Sequence, residues 1–245
     1  MMMTAERLAS IPWWIPPKMW KGDSVYILGG GPSLLSCDLR SIQGERVIAV
    51  NDGYLEPVAA EYPNTNYRIR QWAAICIFGD WGWWDLHWKD WILDEIKGRN
   101  HPGLQRFPGL IVSNNPPKNM WKIVEDAQGR VLPMKRVARG IPEDRGCLTW
   151  YDNTGAAAIH LALLLGASKI TLLGFDMNRT EGKQNWHSAI KKSPPESRNQ
   201  HHADLHERLA VVVKEHPEYG KIPVINASPG TSLEAWEKEE WKKRI

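Results

Sequence analysis

Cysteines and long apolar runs are scarce in this sequence, and their scarcity excludes several classes of protein. Cys37, Cys76 and Cys147 are far apart and outside any C-x-x-C pair, which argues against a disulfide framework and a zinc site. No apolar run approaches the ~20 residues that a membrane-spanning helix needs. Residues 1–17 lack the basic, apolar and cleavage regions of a secretory signal. We therefore expect a cytoplasmic protein with reduced thiols.

The chain also has little excess of charge. Thirty-one basic and 28 acidic residues give a net charge of +3, which favours anionic small molecules but does not require nucleic acid. The basic residues between 130 and 145 could form a solvated face or meet a phosphate. At 245 residues the chain is long enough for one α/β domain and short for two. We expect an irregular arm at 1–22, rich in Pro and Trp, and a single domain at 23–245.

Tryptophan is abundant, with 14 residues against three phenylalanines. An indole can stack on a flat ligand or fill a core, and the second use is far commoner. We therefore expect most of these rings to lie in the core, with stacking on a base as the alternative.

A glycine loop follows the first apolar run of the chain. Residues 25–28 read as a buried strand, and Gly29, Gly30 and Gly31 then allow positive φ and a close approach to a ligand. Pro32 suits a first helical turn, and Ser33 offers its hydroxyl and its backbone N–H to an anion. The spacing matches neither G-x-G-x-x-G nor a Walker A loop. A plain strand-to-helix connection remains the alternative.

Polar residues follow three further apolar runs. Asn51 comes directly after the run at 47–50, and Asp80 follows the run at 73–78. Gly174 and Asp176 follow the run at 170–173. Because ligands bind beyond the carboxyl ends of parallel strands, we predict that Gly31, Asn51, Asp80 and Asp176 lie at one edge of the sheet. Turn formation at Asn51 and helix capping at Asp80 are the structural alternatives.

The longest pattern is an apolar helix at 154–166, which opens with Asn153, Thr154 and Gly155. A helix without a polar face must be buried nearly all round. Its N-terminus is a second position that favours an anion. The strand that follows it makes a unit of βαβ size, which predicts an α/β fold with a single Rossmann-like, doubly wound, mostly parallel sheet and helices on both faces.

The remaining elements are predicted from periodicity and turn residues. We expect strands at 109–112 and 222–225, and a strand or hairpin at 131–138. We expect helices at 37–43, 84–97, 117–127 and 201–214, and a C-terminal helix capped by Thr231 or Ser232. The polar stretch 177–200 reads as a surface loop of the kind that covers active sites, and it carries His187.

Together these motifs resemble a family of Rossmann-like proteins of bacteriophages and some bacteria. The resemblance covers residues 24–236 and rests on the joint order of Gly-Gly-Gly-Pro-Ser, Asn-Thr-Gly and Leu-Gly-Phe-Asp. The family borders on bacterial lipooligosaccharide sialyltransferases and on archaeal 6-hydroxymethylpterin diphosphokinase-like proteins.

The sialyltransferase side implies a nucleotide held by Gly29, Gly31, Ser33, Asn51, Thr154 and Gly155. Such enzymes transfer a sugar from its cytidine nucleotide without a metal and use a histidine as the general base. This chain departs from their pattern because it offers several histidines, chiefly His187 and His202, and lacks the tyrosine pair that they place near the donor phosphate.

The chemistry of histidine supports the same role. Its ordinary pKa of ~6.5 suits a group that takes up and releases a proton near neutral pH. We favour His187 because Trp186 beside it is expected to pack onto the domain, and we keep His202 as the alternative. A metal site is a further possibility, since His202 and His206 lie one helical turn apart with Asp204 between them and His187 upstream.

Three functions are therefore left open. The first is a nucleotide-dependent, glycosyltransferase-like enzyme that needs no cofactor, with a nucleotide-sugar donor and an unknown acceptor. The second is a diphosphotransferase, which would need Mg²⁺ held by Asp80 and Asp176. The third is a non-catalytic protein that binds nucleotides or nucleic acid.

Overall fold

The structure, a computed structural model, describes residues 9–54, 73–88, 91–94, 99–178 and 197–241. The strands in these ranges are β1 Ser24–Leu28, β2 Arg46–Val50, β3 Ile75–Phe78, β4 Trp91–Asp94, β5 Arg99–Pro102, β6 Leu110–Ser113, β7 Val131–Pro133, β8 Lys135–Val137, β9 Cys147–Thr149, β10 Lys169–Leu173, β11 Val224–Asn226 and β12 Glu237–Lys238. The α-helices are α1 Trp81–His87, α2 Pro117–Ala127, α3 Thr154–Leu165 and α4 Ser197–Glu215. Short 3₁₀ helices lie at Pro32–Ser36, Leu39–Ile42, Asn51–Tyr54 and Leu104–Arg106.

Eight parallel strands form the main sheet, in the order β12-β11-β10-β1-β2-β3-β6-β7. From β1 the chain moves outward to β7, returns to the other side of β1 as β10, and then moves outward to β12. The order therefore reverses between β1 and β10, which is the position where open α/β sheets bind ligands. The predicted Rossmann-like, doubly wound parallel sheet is confirmed.

Helices cover both faces of this sheet. One face packs against α3, against Leu205 and Leu209 of α4, and against Trp20. The other face packs against the 3₁₀ helices at 32–42, against Trp84 of α1 and against Met120 and Ile123 of α2. Apolar strands that are covered on both sides explain why these runs show no alternation with polar residues.

Helix α3 is the most enclosed element, and all 12 of its residues are buried. Its N-cap is Asn153, whose side-chain oxygen accepts a hydrogen bond from the Ala156 N–H at 3.2 Å. It ends at Gly166, which takes the left-handed conformation with φ +96°. Its one ionisable residue, His160, accepts a hydrogen bond at Nδ1 from the Thr149 N–H at 3.1 Å.

Several predicted elements are wrong in extent or type. The helix predicted at 84–97 is the shorter α1, and strand β4, which pairs antiparallel with β5, occupies part of the range instead. For segment 131–138 the strand alternative is confirmed and the hairpin is wrong, because β7 joins the main sheet and β8 pairs in parallel with β9. The described part of the C-terminal segment forms turns and the short β12 where a helix was predicted. Helix α4 begins at Ser197, inside the predicted loop.

Residues 9–22 make direct contacts with the domain. The Trp14 N–H donates to the Pro133 carbonyl at 2.7 Å, and the Trp20 N–H donates to the Leu165 carbonyl at 2.9 Å. Ile11 and Trp20 are buried. Among the described helices, none combines the length and the apolar character that crossing a membrane requires.

Candidate functional site

A cleft opens at the carboxyl edge of the sheet, at the point where the strand order reverses. The loops after β1, β2, β3 and β10 meet there with the N-terminus of α3 and the first turns of α4. The lining residues are Gly29, Gly30, Gly31, Val50, Asn51, Asp80, Asp152, Asn153, Thr154, Gly155, Gly174, Phe175, Asp176, Met177, Asn178, Asn199 and His202.

Most of the residues predicted to bind a nucleotide meet at this cleft. Gly29, Gly30, Gly31, Asn51, Asp80, Asn153, Thr154, Gly155, Gly174 and Asp176 line it, whereas Pro32 and Ser33 do not. Gly31, Asn51, Asp80 and Asp176 thus share one edge of the sheet, as predicted. Of the two catalytic candidates, His202 lines the cleft and His187 lies outside the described residues. Whether these residues bind a nucleotide stays a prediction.

The glycines of the first loop are needed for contacts within the protein. A Cβ atom on Gly29 would stand 2.5 Å from the Gly174 carbonyl oxygen, and one on Gly31 would stand 2.5 Å from the Asp176 carboxyl carbon. Gly174 itself has φ +74°. These glycines let the loops after β1 and β10 interlock, a role that differs from the predicted close approach to a ligand.

Ser33 gives both of its donors to a carboxylate of the protein. Its N–H donates to Oδ2 of Asp176 at 2.8 Å, and its hydroxyl donates to Oδ1 of the same side chain. Burial raises the pKa of Asp176 above its ordinary value, and the two hydrogen bonds from Ser33 lower it. Both donors of Ser33 are thus engaged by Asp176, and contact of Ser33 with a ligand anion stays a prediction.

The segment after β11 holds the β10 loop, a role that sequence analysis did not predict. The Phe175 N–H donates to Oγ of Ser228 at 2.8 Å, and Oγ1 of Thr231 donates to the Phe175 carbonyl at 2.8 Å. The Ser232 N–H donates to the Asp176 carbonyl at 2.9 Å. The cluster of Asn, Ser, Pro, Gly and Thr at 226–232 is typical of a turn. Its sequence does not indicate that this turn contacts the loop after β10.

Asn51 enters the cleft in a conformation that few residues adopt. Its φ is +49°, in the left-handed region that asparagine tolerates better than most residues. Its Nδ2 lies 3.5 Å from Oγ1 of Thr154, at the start of α3. Its Oδ1 is buried and has no hydrogen-bond partner within the described part of the chain. A buried amide oxygen of this kind is satisfied by a donor from water or from a ligand.

Asn153 links the N-terminus of α3 to α4. While its Oδ1 caps α3, its Nδ2 lies 3.3 Å from Nδ1 of His202. One turn further along α4, His206 is fully enclosed, with Trp236 Nε1 at 3.4 Å from its Nδ1. Burial lowers the pKa of His206 to about 3, so this side chain is neutral.

A guanidinium is fixed beside two acidic residues of the cleft. Arg136 donates to the carbonyls of Asn114 and Gly79, and its Cζ lies 3.8 Å from the centre of the Trp150 ring. Burial lowers the pKa of Arg136 to about 10, and the charges of Asp80 and Asp152 act in the opposite direction. The side chain stays cationic at neutral pH, so it compensates part of the negative charge at this side of the cleft.

The structural alternative at Asp80, a helix cap, is not observed, whereas the expected core packing of the tryptophans is. Asp80 precedes α1 but makes no capping hydrogen bond with its side chain. Trp84 is buried and stacks on Phe78 and Trp88. Within the described ranges, no tryptophan lines the cleft.

The residues that the structure describes include no group of three or more His, Cys, Asp or Glu side chains that could hold a metal ion. The predicted pair of His202 and His206 is divided, because His206 is turned toward Trp236. For Mg²⁺, Asp80 and Asp176 do line the same cleft. The two oxygens of Asp176 are, however, already hydrogen-bonded to Ser33.

Comparison with known proteins gives one kind of match. No known protein family and no curated protein matches the chain. Among solved structures, the sialyltransferase CstII from Campylobacter jejuni in complex with the substrate analogue cytidine-5'-monophosphate is similar. The two chains share 14% sequence identity with a TM-score of 0.49, and the match covers 92% of this chain and 94% of the sialyltransferase chain. The sialyltransferase CST-II in complex with a trisaccharide acceptor and CMP matches with the same identity and TM-score, over 91% and 94%. Similarity this distant does not decide what this chain binds.

Proposed function

We propose that the chain is a nucleotide-dependent transferase of glycosyltransferase type, which binds a nucleotide-activated sugar in the cleft between β1 and β10. The observation that carries the proposal is the convergence of four strand ends and the N-terminus of α3 at the point of strand reversal. A helix N-terminus and a parallel sheet edge together favour a phosphate. Oδ1 of Asn51, which has no hydrogen-bond partner among the described residues, can accept a hydrogen bond from a hydroxyl or amine of the ligand.

Sugar transfer also needs a base that removes the proton of the acceptor hydroxyl. His187 and His202 are the candidates, because a histidine can hold a proton and release it near neutral pH. We assign a cytidine nucleotide as the first donor to test, on the resemblance of the Gly-Gly-Gly-Pro-Ser and Asn-Thr-Gly motifs. The reaction as proposed uses no metal.

The test is release of free nucleotide from a panel of nucleotide sugars in the presence of EDTA, with wild type and single variants. General-base assistance is typically worth 10²–10⁴-fold, so replacing the base with alanine should lower turnover by about two to four orders of magnitude. His187→Ala and His202→Ala are compared with His201→Ala, whose side chain is the exposed neighbour of His202 on α4.

Two outcomes would redirect the assignment. Turnover of a nucleoside triphosphate only with Mg²⁺ would favour a diphosphotransferase that uses Asp80 and Asp176. Binding of nucleotides with no turnover of any donor would leave a binding protein without catalytic activity.

A further inference from the structure

A second cavity, the β11–β12 pocket, lies at the carboxyl edge of the sheet where β11 and β12 end. Its volume of about 790 Å³ is within the usual range of small-molecule sites. It is lined by Asn226, Ser228, Pro229, Gly230, Thr231, Lys238, Glu239, Glu240 and Trp241. We propose that this pocket binds a neutral sugar and that this sugar is the acceptor of the proposed transfer. The acceptor role rests on the proposed function, whereas binding of the sugar does not.

The indole of Trp241 lines the pocket and is half-buried. Its ring packs edge-on against Tyr26, with 6.0 Å between the ring centres. Its Nε1 is buried and has no hydrogen-bond partner among the described residues. An indole N–H can only donate, so the ligand that satisfies it must supply an acceptor. An ammonium group has no acceptor and cannot fill this role.

The charged side chains of the pocket leave one carboxylate in excess. Lys238 forms an ion pair with Glu234. Nζ of Lys169 lies 3.5 Å from Oε2 of Glu239. Glu240 is exposed, and among the described residues no side chain pairs with it. The pocket therefore disfavours an anion, in contrast to the cleft, where the N-terminus of α3 favours a phosphate.

A sugar meets both requirements of this pocket. Its hydroxyl groups donate and accept, so they can accept from Nε1 of Trp241 and donate to the carboxylate of Glu240. The C–H groups on one face of the sugar ring can also pack against the apolar surface of the indole. A neutral, hydroxyl-rich ring is therefore the ligand that the pocket fits best.

The pocket and the cleft share a wall. Nδ2 of Asn178, which lines the cleft, donates at 2.7 Å to the carbonyl of Gly230, which lines the pocket. Oγ1 of Thr231, on the pocket side, donates at 2.8 Å to the carbonyl of Phe175, on the cleft side. Strand β11 pairs with β10, so both cavities lie at neighbouring strand ends. A sugar in the pocket would lie beside a donor in the cleft, as the two substrates of a transferase must.

The test is an NMR titration of the protein, without nucleotide, with methyl glycosides of glucose, galactose, mannose and N-acetylglucosamine. We expect saturable binding of at least one of them. Trp241→Ala should weaken this binding about 10-fold or more, because it removes the ring contact and the N–H. Trp241→Phe keeps a ring but removes the donor, and we expect a loss of about 3- to 10-fold. Binding of none of the four glycosides, or equal affinity in wild type and Trp241→Ala, would overturn the proposal.

Two comparisons connect the effect to this pocket. Trp13→Ala removes a half-buried indole that packs against the same core cluster as Trp241 but lines neither cavity, so affinity should not change. An equal loss in Trp13→Ala and Trp241→Ala would refute the assignment to the pocket.

The charge of Glu240 is tested with the uronic acid derivative of the glycoside that binds best. We expect this anionic sugar to bind more weakly than its neutral counterpart. Glu240→Gln should reduce the difference in affinity about 2- to 5-fold, as expected for an exposed charge. The same difference in wild type and Glu240→Gln would refute the role of this carboxylate.

The acceptor role is tested with the same glycoside in the transfer reaction. We expect the KM for the glycoside to rise about 3- to 10-fold in Trp241→Phe, while the KM for the nucleotide sugar stays the same. An unchanged KM for the glycoside would overturn the acceptor role. Glycoside binding by a protein that binds no nucleotide would refute the proposed function but leave the pocket assignment intact. Transfer from a nucleotide sugar without glycoside binding would do the reverse.

Discussion

At the scale of single residues, Gly29, Gly31 and Gly155 of the cleft are explained by what a Cβ atom would touch there. On Gly155 it would stand 2.6 Å from the Phe175 ring and 2.8 Å from Oδ1 of Asn153. Phe175 is buried and packs edge-on against His206, with 5.8 Å between the ring centres. Because this buried ring lies directly against Gly155, the glycine serves helix packing whether or not a ligand also approaches it.

We predict that Gly155→Ala is destabilised by about 1–3 kcal/mol, the usual cost of overpacking a core. Gly82→Ala is the matched control, because Gly82 is also the second residue of a helix and has open space around its Cα. The gain in helix propensity is similar at both sites, so the control should be neutral or slightly stabilised. Urea unfolding measures both variants, and equal effects at the two positions would contradict the packing role of Gly155.

At the scale of elements, the sequence predicts those that its local pattern determines. Helix α2 lies at 117–127 as predicted, because it starts with Pro117 and presents Met120 and Ile123 to the core. Helix α3 begins at its predicted cap. The prediction at 84–97 failed because apolar spacing beyond His87 suits a helix, whereas the chain makes the cross-strand pairs of β4 and β5. Periodicity carries no information on which distant strand will pair.

The same reason limits what could be predicted about the site. Glycine and polar residues after apolar runs point to the correct edge of the sheet. The contacts from Ser33 to Asp176, from Ser228 to Phe175 and from Asn153 to His202 join segments that are far apart in the chain. Pairings of this kind arise from the strand order, which brings the loops after β1, β10 and β11 together.

Helices α3 and α4 each bury one histidine, and this makes the stability of the protein depend on pH. Burial lowers the pKa of His160 and of His206 to about 3, from the ordinary value of ~6.5 that holds in the unfolded chain. The unfolded state therefore takes up protons that the folded state resists. Stability is complete above about pH 6.5 and is lost as the pH falls toward 3.

Each buried histidine should contribute a slope of about 1.4 kcal/mol per pH unit between about pH 6 and pH 4. We expect His206→Gln to lose less stability on acidification than the wild type, by about this slope. His201→Gln should keep the wild-type slope, since His201 is exposed. Urea unfolding at several pH values measures the slopes, and the same slope in His206→Gln and wild type would contradict a buried neutral His206.

At the scale of the whole molecule, the strand order decides where a ligand can bind. The strand order reverses between β1 and β10, and the cleft lies at the carboxyl edge of this strand pair, lined by the loops that follow both strands. On one face, Asn153 caps α3, and α4 carries His202, which Asn153 contacts. The other face carries α1, α2 and the 3₁₀ helices, and Trp84 is buried there.

Binding of a nucleotide in this cleft can be measured by calorimetric titration of nucleoside monophosphates, beginning with cytidine monophosphate. Wild type is compared with Asn51→Gly, which removes the amide but suits the φ of +49°, and with Gln128→Gly, the same kind of change at φ +48° in the C-cap of α2. We expect one nucleotide per chain without metal, affinity about 3- to 10-fold weaker in Asn51→Gly, and no change in Gln128→Gly. No binding of any nucleoside monophosphate, or equal affinity in wild type and Asn51→Gly, would contradict nucleotide binding in this cleft.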